Sequence, residues 1–354
     1  MISPYTINIS DERLATIRAK IEAYDWSQLP DAGGWSAGVG VDDLKRLVAY
    51  WRDSYDWRAV ERRLNALPNF TADVEGEHLH FVHVKGDGSE PPVLLLHGWP
   101  AGFAFSNPIT QPIGPRQAAA LVHGLMAQLF GDAPYFIQGG DWGHGIAAWA
   151  AHDRPDALLG IHINMMTVRA EDAAPTTDEE KSFAAKRAAM ADRESAYFHE
   201  QATRPQTLGV AMADSPVGVA GWILEKFGKW ADLPTTADGD PDIWSKFSEE
   251  ELLTNIMLYI APASFVTATW IYYGSRLEGS MMLPASTRIQ VPTGVAAFPD
   301  PVFSPPPRSF AEKTYNVVHW TDMPRGGHFA ALEEPELMLA DLRAFIATVS
   351  GTRF

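Results

Sequence analysis

Between Tyr135 and Gly145 the chain has room for one conformation only. Tyr135-Phe136-Ile137-Gln138 is a short apolar run with the length of a buried strand, and Trp142 to His152 is an alanine-rich helical pattern. Only Gly139-Gly140-Asp141 lies between them, with Gly143 one residue into the helix, so the strand must enter the helix through a turn too tight for flanking side chains. Such a Gly-x-Asp-x-Gly elbow holds one side chain, that of Asp141, on a strained bend at the carboxyl end of a strand. The spacing is that of a nucleophile elbow with a carboxylate in place of the usual serine. A carboxylate suits displacement at a saturated carbon bearing oxygen or halogen, through an ester, and suits amide cleavage poorly. A plain turn with Asp141 as helix N-cap would use the same residues, so the choice rests on the rest of the chain.

That remainder alternates. Pro91-Pro92-Val93-Leu94-Leu95-Leu96 reads as a buried parallel strand, Gln117 to Phe130 as a helix and Leu158 to Met165 as a further buried strand. With the elbow, this order predicts a doubly wound α/β core, a mostly parallel sheet with helices on both faces. Upstream, residues 1–69 read as helical, with Ser10 capping a helix through Leu14, Ile17 and Ile21. Phe70 to Val74 and His78 to Val84 then switch to period two, joined by the turn Glu75-Gly76-Glu77. From Thr167 to about Arg288 the pattern is helical and aromatic-rich. Ile289 to Phe298 and Thr314 to Trp320 resume strands, and Glu334 to Thr348 closes as a helix. The expected division is a helical segment at 1–69, core at 70–166, a helical lid at 167–288 and the second part of the core at 289–354.

Composition narrows the chemistry. The absence of cysteine excludes disulfides, thiolate catalysis and cysteine metal sites. A net charge of −16 without a block of consecutive lysines or arginines argues against nucleic acid or an anionic membrane as partner. Met1-Ile2-Ser3-Pro4-Tyr5-Thr6 has neither a basic region nor an apolar one, and no apolar stretch approaches a membrane span, so a soluble cytoplasmic protein without a membrane anchor is expected. The 12 tryptophans and 17 phenylalanines fit either an aromatic-lined pocket or a large core.

The candidate residues follow the order nucleophile, acid, histidine, each after a core strand: Asp141, Asp300 and His328. His328, in Arg325-Gly326-Gly327-His328-Phe329, would take a proton from the water that hydrolyses the ester. His97-Gly98-Trp99-Pro100 ends a strand, where the backbone N–H of Trp99, with that of Trp142, would face a developing oxyanion.

With these pieces in place the chain resembles epoxide hydrolases of the microsomal and juvenile-hormone type, in a soluble bacterial-like form. The resemblance is carried by Tyr50-Trp51-Arg52-Asp53-Ser54-Tyr55-Asp56-Trp57-Arg58, His97-Gly98-Trp99-Pro100, Gln138-Gly139-Gly140-Asp141-Trp142-Gly143, Asp214-Ser215-Pro216-Val217-Gly218, Ile223-Leu224-Glu225-Lys226-Phe227, Val291-Pro292-Thr293-Gly294 and Arg325-Gly326-Gly327-His328-Phe329-Ala330-Ala331. It implies an α/β-hydrolase fold with a helical lid. It also implies conversion of an apolar epoxide to a vicinal diol, a detoxification chemistry needing water but no metal or organic cofactor. Two lid tyrosines of the family that donate to the epoxide oxygen match Tyr197 and Tyr272, with Tyr273 as the alternative to the second. A phenol, with its pKa near ~10, can first bond the ether and then protonate the alkoxide. Whether the chain forms a homo-oligomer is left open.

Two departures stand out. In Phe298-Pro299-Asp300-Pro301 the family's carboxylate aligns with Pro301, so Asp300 sits one position early, and in a regular strand that slip would aim it away from His328. A bend after the strand would restore it. Further, only 40 residues separate Pro100 from Asp141, and Gly102-Phe103-Ala104-Phe105-Ser106 resembles the loop after the family's next strand. One helix–strand unit, on the order of 30 residues, is missing. The sheet should be one strand short, leaving either a gap or two strands re-paired as an antiparallel hairpin across the Gly86–Pro91 turn. Either way, exposed apolar surface should lower stability. Two other readings use the same residues. A haloalkane dehalogenase shares the aspartate, the histidine and Trp142 but binds halide with N–H donors, and a silent member would only bind apolar ligands.

Overall fold

A computed structural model describes residues 1–98, 101–106 and 108–351. Five parallel strands form the central sheet in the order β4-β5-β6-β7-β8, following three antiparallel strands that make a separate sheet, β1-β2-β3. Their ranges are β1 Ile2–Pro4, β2 Asn69–Val74, β3 Glu77–Val82, β4 Val93–His97, β5 Tyr135–Gly140, β6 Leu158–Ile163, β7 Ile289–Ala297 and β8 Tyr315–Asp322. Before β2 come helices α1 (Asp11–Glu22), α2 (Val41–Asp53) and α3 (Trp57–Asn65). Crossovers α4 (Pro115–Phe130) and α5 (Trp142–Asp153) join β4 to β5 and β5 to β6.

Between β6 and β7 the chain is helical, as its pattern predicts: α6 (Asp178–Glu194), α7 (Ala196–Thr203), α8 (Pro205–Asp214), α9 (Pro216–Trp230), α10 (Glu249–Ile260), α11 (Phe265–Ala268) and α12 (Trp270–Glu278). Short α13 (Arg308–Ala311) precedes β8, and α14 (Ala330–Glu333) and α15 (Pro335–Ser350) close the fold. Among the described residues no single helix is long and apolar enough to cross a membrane.

Alternation along β5 explains why both faces of the sheet are covered. Phe136 points to one side, edge-on to Phe345 of α15 at 5.9 Å, while Ile137 points to the other, into the core shared with α4 and α5. A second core joins the first residues to the lid. Ile17, Leu47 and Trp51 pack with Leu224 and Phe227 of α9 and with Leu253 and Ile256 of α10. Ser10 caps α1 as read from sequence, its Oγ accepting from the Arg13 N–H at 3.1 Å. The helical reading of the first segment missed β1. Three residues are too few to show a period, and Ile2–Pro4 is extended because β2 supplies its ladder at Phe70–Ala72.

The strand deficit takes the form of a gap. Among the described residues β3 pairs only with β2 and β4 only with β5, so the hairpin considered across Gly86–Pro91 does not form. Pro91 and Pro92 lack the N–H donors such a ladder needs, and the residues from 83 to 92 are too many for a tight turn. The antiparallel sheet is held instead by α4, whose Gln128 Nε2 donates to the Asp73 carbonyl at 2.7 Å, and by Ser106 Oγ, which accepts from the His80 N–H at 2.9 Å. β4 becomes an edge. Leu95 is 65% exposed and Val93 38%, and Val82 and Val84 at the end of β3 are also uncovered.

Candidate active site

Asp141 sits between β5 and α5 with φ 47° and ψ −132°, a backbone conformation that costs a non-glycine residue roughly 1–3 kcal/mol. Its neighbours must be glycine because backbones meet there. A Cβ on Gly139 would lie 2.4 Å from the Gly143 carbonyl oxygen, and one on Gly143 would lie 2.5 Å from the Leu96 carbonyl oxygen. The elbow is braced by His144, whose Nδ1–H donates to the Asp141 carbonyl. Its Nε2 accepts from Thr167 Oγ1 at 2.9 Å and from the N–H groups of Thr167 and Val168 at 3.3 Å each. Burial keeps this imidazole neutral, pushing its pKa down to about 4 against the pull of the Asp141 carbonyl and carboxylate.

His328 arrives from the loop after β8. Buried Glu333 pins that loop, its Oε2 accepting from the Gly327 N–H and its Oε1 from the Phe329 N–H, both at 2.9 Å. The His328 N–H itself donates to the Trp230 carbonyl of α9 at 3.0 Å. The imidazole is buried and bridges two carboxylates: Nε2 lies 3.1 Å from Asp141 Oδ2 and Nδ1 lies 3.0 Å from Asp300 Oδ2. Burial opposes charge on this ring, but its hydrogen bonds to Asp141 and Asp300 outweigh that and raise its pKa to about 10. For Asp141 burial would raise the pKa. His328, then His97 and the Trp142 backbone N–H, overcome it and hold the carboxyl well below the usual range.

The slipped acid therefore reaches its partner. β7 ends at Ala297, and two successive i-to-i+2 hydrogen bonds follow, Phe298 N–H to Ala296 O at 3.0 Å and Asp300 N–H to Phe298 O at 2.8 Å. Those tight bends remove the strand alternation on which the misdirection would depend. Asp300 Oδ1 then accepts from the N–H groups of Val302 at 2.8 Å and Phe303 at 2.7 Å, which fixes the carboxylate.

Tyr197 of α7 and Tyr272 of α12 meet edge-on, ring centres 6.0 Å apart, and both line the spaces on either side of Asp141. Burial, then the mutual influence of the pair and the charge of Asp141, raise the Tyr197 pKa. Burial and Asp141 do the same to Tyr272, so both phenols stay protonated. Tyr273 lines neither space. Trp142 lies edge-on to Tyr272 at 4.9 Å. Trp99 lies outside the described residues, while the preceding Gly98 lines the larger space.

That larger space is a cavity of about 510 Å³ between the strand ends and the lid, walled by Trp222, Trp230, Tyr259 and Phe329. A smaller one of about 190 Å³ lies across the tyrosine pair, among Met190, Phe198, Met281 and Phe303. Asp141, Trp142, Tyr197 and Tyr272 face both. The sequence reading did not single out His144, Tyr259 or Lys226. His144 had a usable signal, one helical turn after the nucleophile, whereas Tyr259 and Lys226 face the cavity only through the packing of the lid. Among the described residues no group of three or more His, Asp or Glu side chains is disposed to hold a metal ion.

Residues 2–105 match the family described as "Epoxide hydrolase N terminus". Over its length the chain is 32% identical to juvenile hormone epoxide hydrolase 2 of Ctenocephalides felis, covering 96% of this chain and 84% of the relative. It is 31% identical to epoxide hydrolase 1 of Oryctolagus cuniculus, covering 98% and 89%. That second alignment runs to 407 positions, of which 98% of 354 residues fill about 347, leaving about 60 positions with no counterpart here. The structure is similar to that of Aspergillus niger epoxide hydrolase, with a TM-score of 0.83 at 28% identity over 99% of this chain and 97% of that one. It is also similar to juvenile hormone epoxide hydrolase from Bombyx mori, with a TM-score of 0.85 at 25% identity over 99% and 95%.

Proposed function

Because the chain belongs to the epoxide hydrolase family, of the microsomal and juvenile-hormone type, we propose that it opens an apolar epoxide to a vicinal diol through an ester on Asp141. The carboxylate attacks a ring carbon and the carbon–oxygen bond breaks. Tyr197 and Tyr272, both protonated, bond the departing oxygen and supply its proton. Esterification removes the negative charge of Asp141, one of the two carboxylates that hold the proton on His328. With that charge gone His328 gives up its proton, which restores the phenol that protonated the alkoxide, and the neutral imidazole can take a proton from the water that attacks the ester carbonyl. Asp300 keeps the ring oriented and balances the imidazolium. The Trp142 N–H, already bonded to the Asp141 carboxylate, faces the oxyanion, and Trp99 is assigned the second donor.

The observation that carries this reading is the chain Asp141–His328–Asp300, linked at 3.1 and 3.0 Å beneath two buried phenols. Two neutral O–H donors suit an alkoxide leaving oxygen, which needs a proton, better than a halide, which needs none. The test is to incubate the protein with styrene oxide and with 1-chlorobutane, assaying diol and chloride, and to take intact mass spectra during turnover. Diol with a transient adduct on Asp141 supports the proposal. Chloride without diol favours dehalogenation, and neither product nor adduct favours a silent binder.

A further inference from the structure

The smaller chamber beside Asp141 adjoins another space. Thr167, Val168 and Arg187 form its far wall and also line a third space, an outer vestibule of about 320 Å³. Among the described residues the charged side chains lining that vestibule are Arg169 and Arg187, and no aspartate or glutamate lines it with them. In a chain with net charge −16 that is an unusual local balance.

Neither arginine is in a direct ion pair, although Asp300 is near enough to favour the charge on Arg187. Among the described residues no carboxylate oxygen lies within the 4.0 Å of an ion pair from either, whereas Arg116, Arg308 and Arg325 elsewhere each have one. Arg187 Nη1 donates to the Val302 carbonyl at 2.5 Å and its guanidinium lies over the Phe303 ring at 5.1 Å. Arg169 makes one long contact, Nη1 to the Thr167 carbonyl at 3.5 Å, and lies 5.7 Å from the Phe310 ring. Carbonyls and ring faces orient a guanidinium without cancelling its charge, leaving further N–H donors in a fork that matches a carboxylate. Burial pushes the Arg187 pKa down, against the pull of Asp300.

We propose that Arg169 and Arg187 form a carboxylate-recognising subsite, so that the substrate class is an apolar epoxide whose far end carries a carboxylate. The reactive ring would sit at Asp141, the chain would pass the Met190 and Phe303 walls, and the anion would rest in the vestibule away from Glu194 of the inner chamber. The proposal deepens the epoxide hydrolase reading and rests on it for the reaction, though not for the binding.

The test compares cis-9,10-epoxyoctadecanoate with its methyl ester as substrates, and octadecanoate with methyl octadecanoate as unreactive ligands by titration calorimetry. It uses the full chain and the variants Arg169→Gln, Arg187→Gln and Arg169→Lys, with melting temperatures confirming folding. The ratio of kcat/KM for acid over ester should be at least about tenfold above one and fall about tenfold in each Gln variant, mainly through KM. Arg169→Lys should retain more of it than Arg169→Gln. Octadecanoate should bind more tightly than its ester, with an advantage lost in the Gln variants and reduced by salt. Equal handling of acid and ester, or a ratio unmoved by both Gln variants, overturns the subsite while leaving the hydrolase reading intact. Arginine-dependent binding of octadecanoate with no diol from either epoxide sustains the subsite and overturns the hydrolase reading.

Discussion

Asp300 reaches His328 Nδ1 at 3.0 Å although it lies one residue before the position at which relatives of this chain would be expected to carry their acid. The bends after β7 bring it there, and the backbone N–H groups of Val302 and Phe303 hold it. Replacing it by Asn keeps the shape and removes the charge. For Asp300→Asn we expect the ester on Asp141 to form but hydrolyse about a hundredfold or more slowly, by analogy with the loss of the orienting carboxylate in other triads. Rapid-quench mass spectrometry should then show the adduct as the dominant species, and an unchanged decay rate would refute a role for Asp300.

Tyr197 and Tyr272 bear on the other half of the reaction. Tyr197→Phe and Tyr272→Phe should each slow ester formation about ten- to a hundredfold, since each removes one donor from the developing alkoxide. Decay of a preformed ester should be nearly unaffected. Single-turnover experiments separate the two rates, and a loss confined to the decay step would contradict the assignment.

The pH dependence of stability follows from His328, whose pKa rises from an ordinary 6.5 to about 10 on folding. A group raised on folding stabilises fully below its unfolded value, and that contribution is lost as pH climbs through the folded one. The stability advantage of the natural protein over His328→Gln, measured by urea denaturation, should therefore shrink steadily from pH 7 to pH 10. Asp141 is held below the usual carboxylate range, so its ionised form persists into mild acid and ester formation should stay flat down to a pH of about 5. An ester-formation rate that halves near pH 6 would contradict this ordering.

Much of this site is legible in the sequence because its positions are dictated by steric demand. Gly139 and Gly143 have to be glycine, and that pair together with the strand and helix order of the rest of the chain locates Asp141. His328 follows from its place third in the order after Asp141 and Asp300, just before the last helix. The direction of Asp300 could not be read, because periodicity describes the strand and the residue lies in bends beyond it. The lid contacts of Tyr259 and Lys226 depend on how helices far apart in sequence pack, and that packing leaves no periodic trace. The missing helix–strand unit was visible as spacing, yet spacing alone did not distinguish a gap from a hairpin. Pro91 and Pro92 hold the deciding information.

The exposed edge at β4 gives a solubility prediction. Leu95, 65% exposed on the edge strand β4, is a site for edge-to-edge association. Leu95→Lys should delay the onset of light scattering on heating while changing unfolding free energy by no more than about 0.5 kcal/mol, the usual range for surface positions. A loss of several kcal/mol would mean that this side chain is covered in solution.

Among the described residues the indoles of Trp142, Trp222 and Trp230 belong to the wall of the larger cavity, and Trp142 follows Asp141 directly. A guest entering there displaces solvent from their faces, and esterification erases a full negative charge beside the first of them. Intrinsic ultraviolet emission should consequently change once on loading and again on acylation, giving a label-free optical record of each chemical stage.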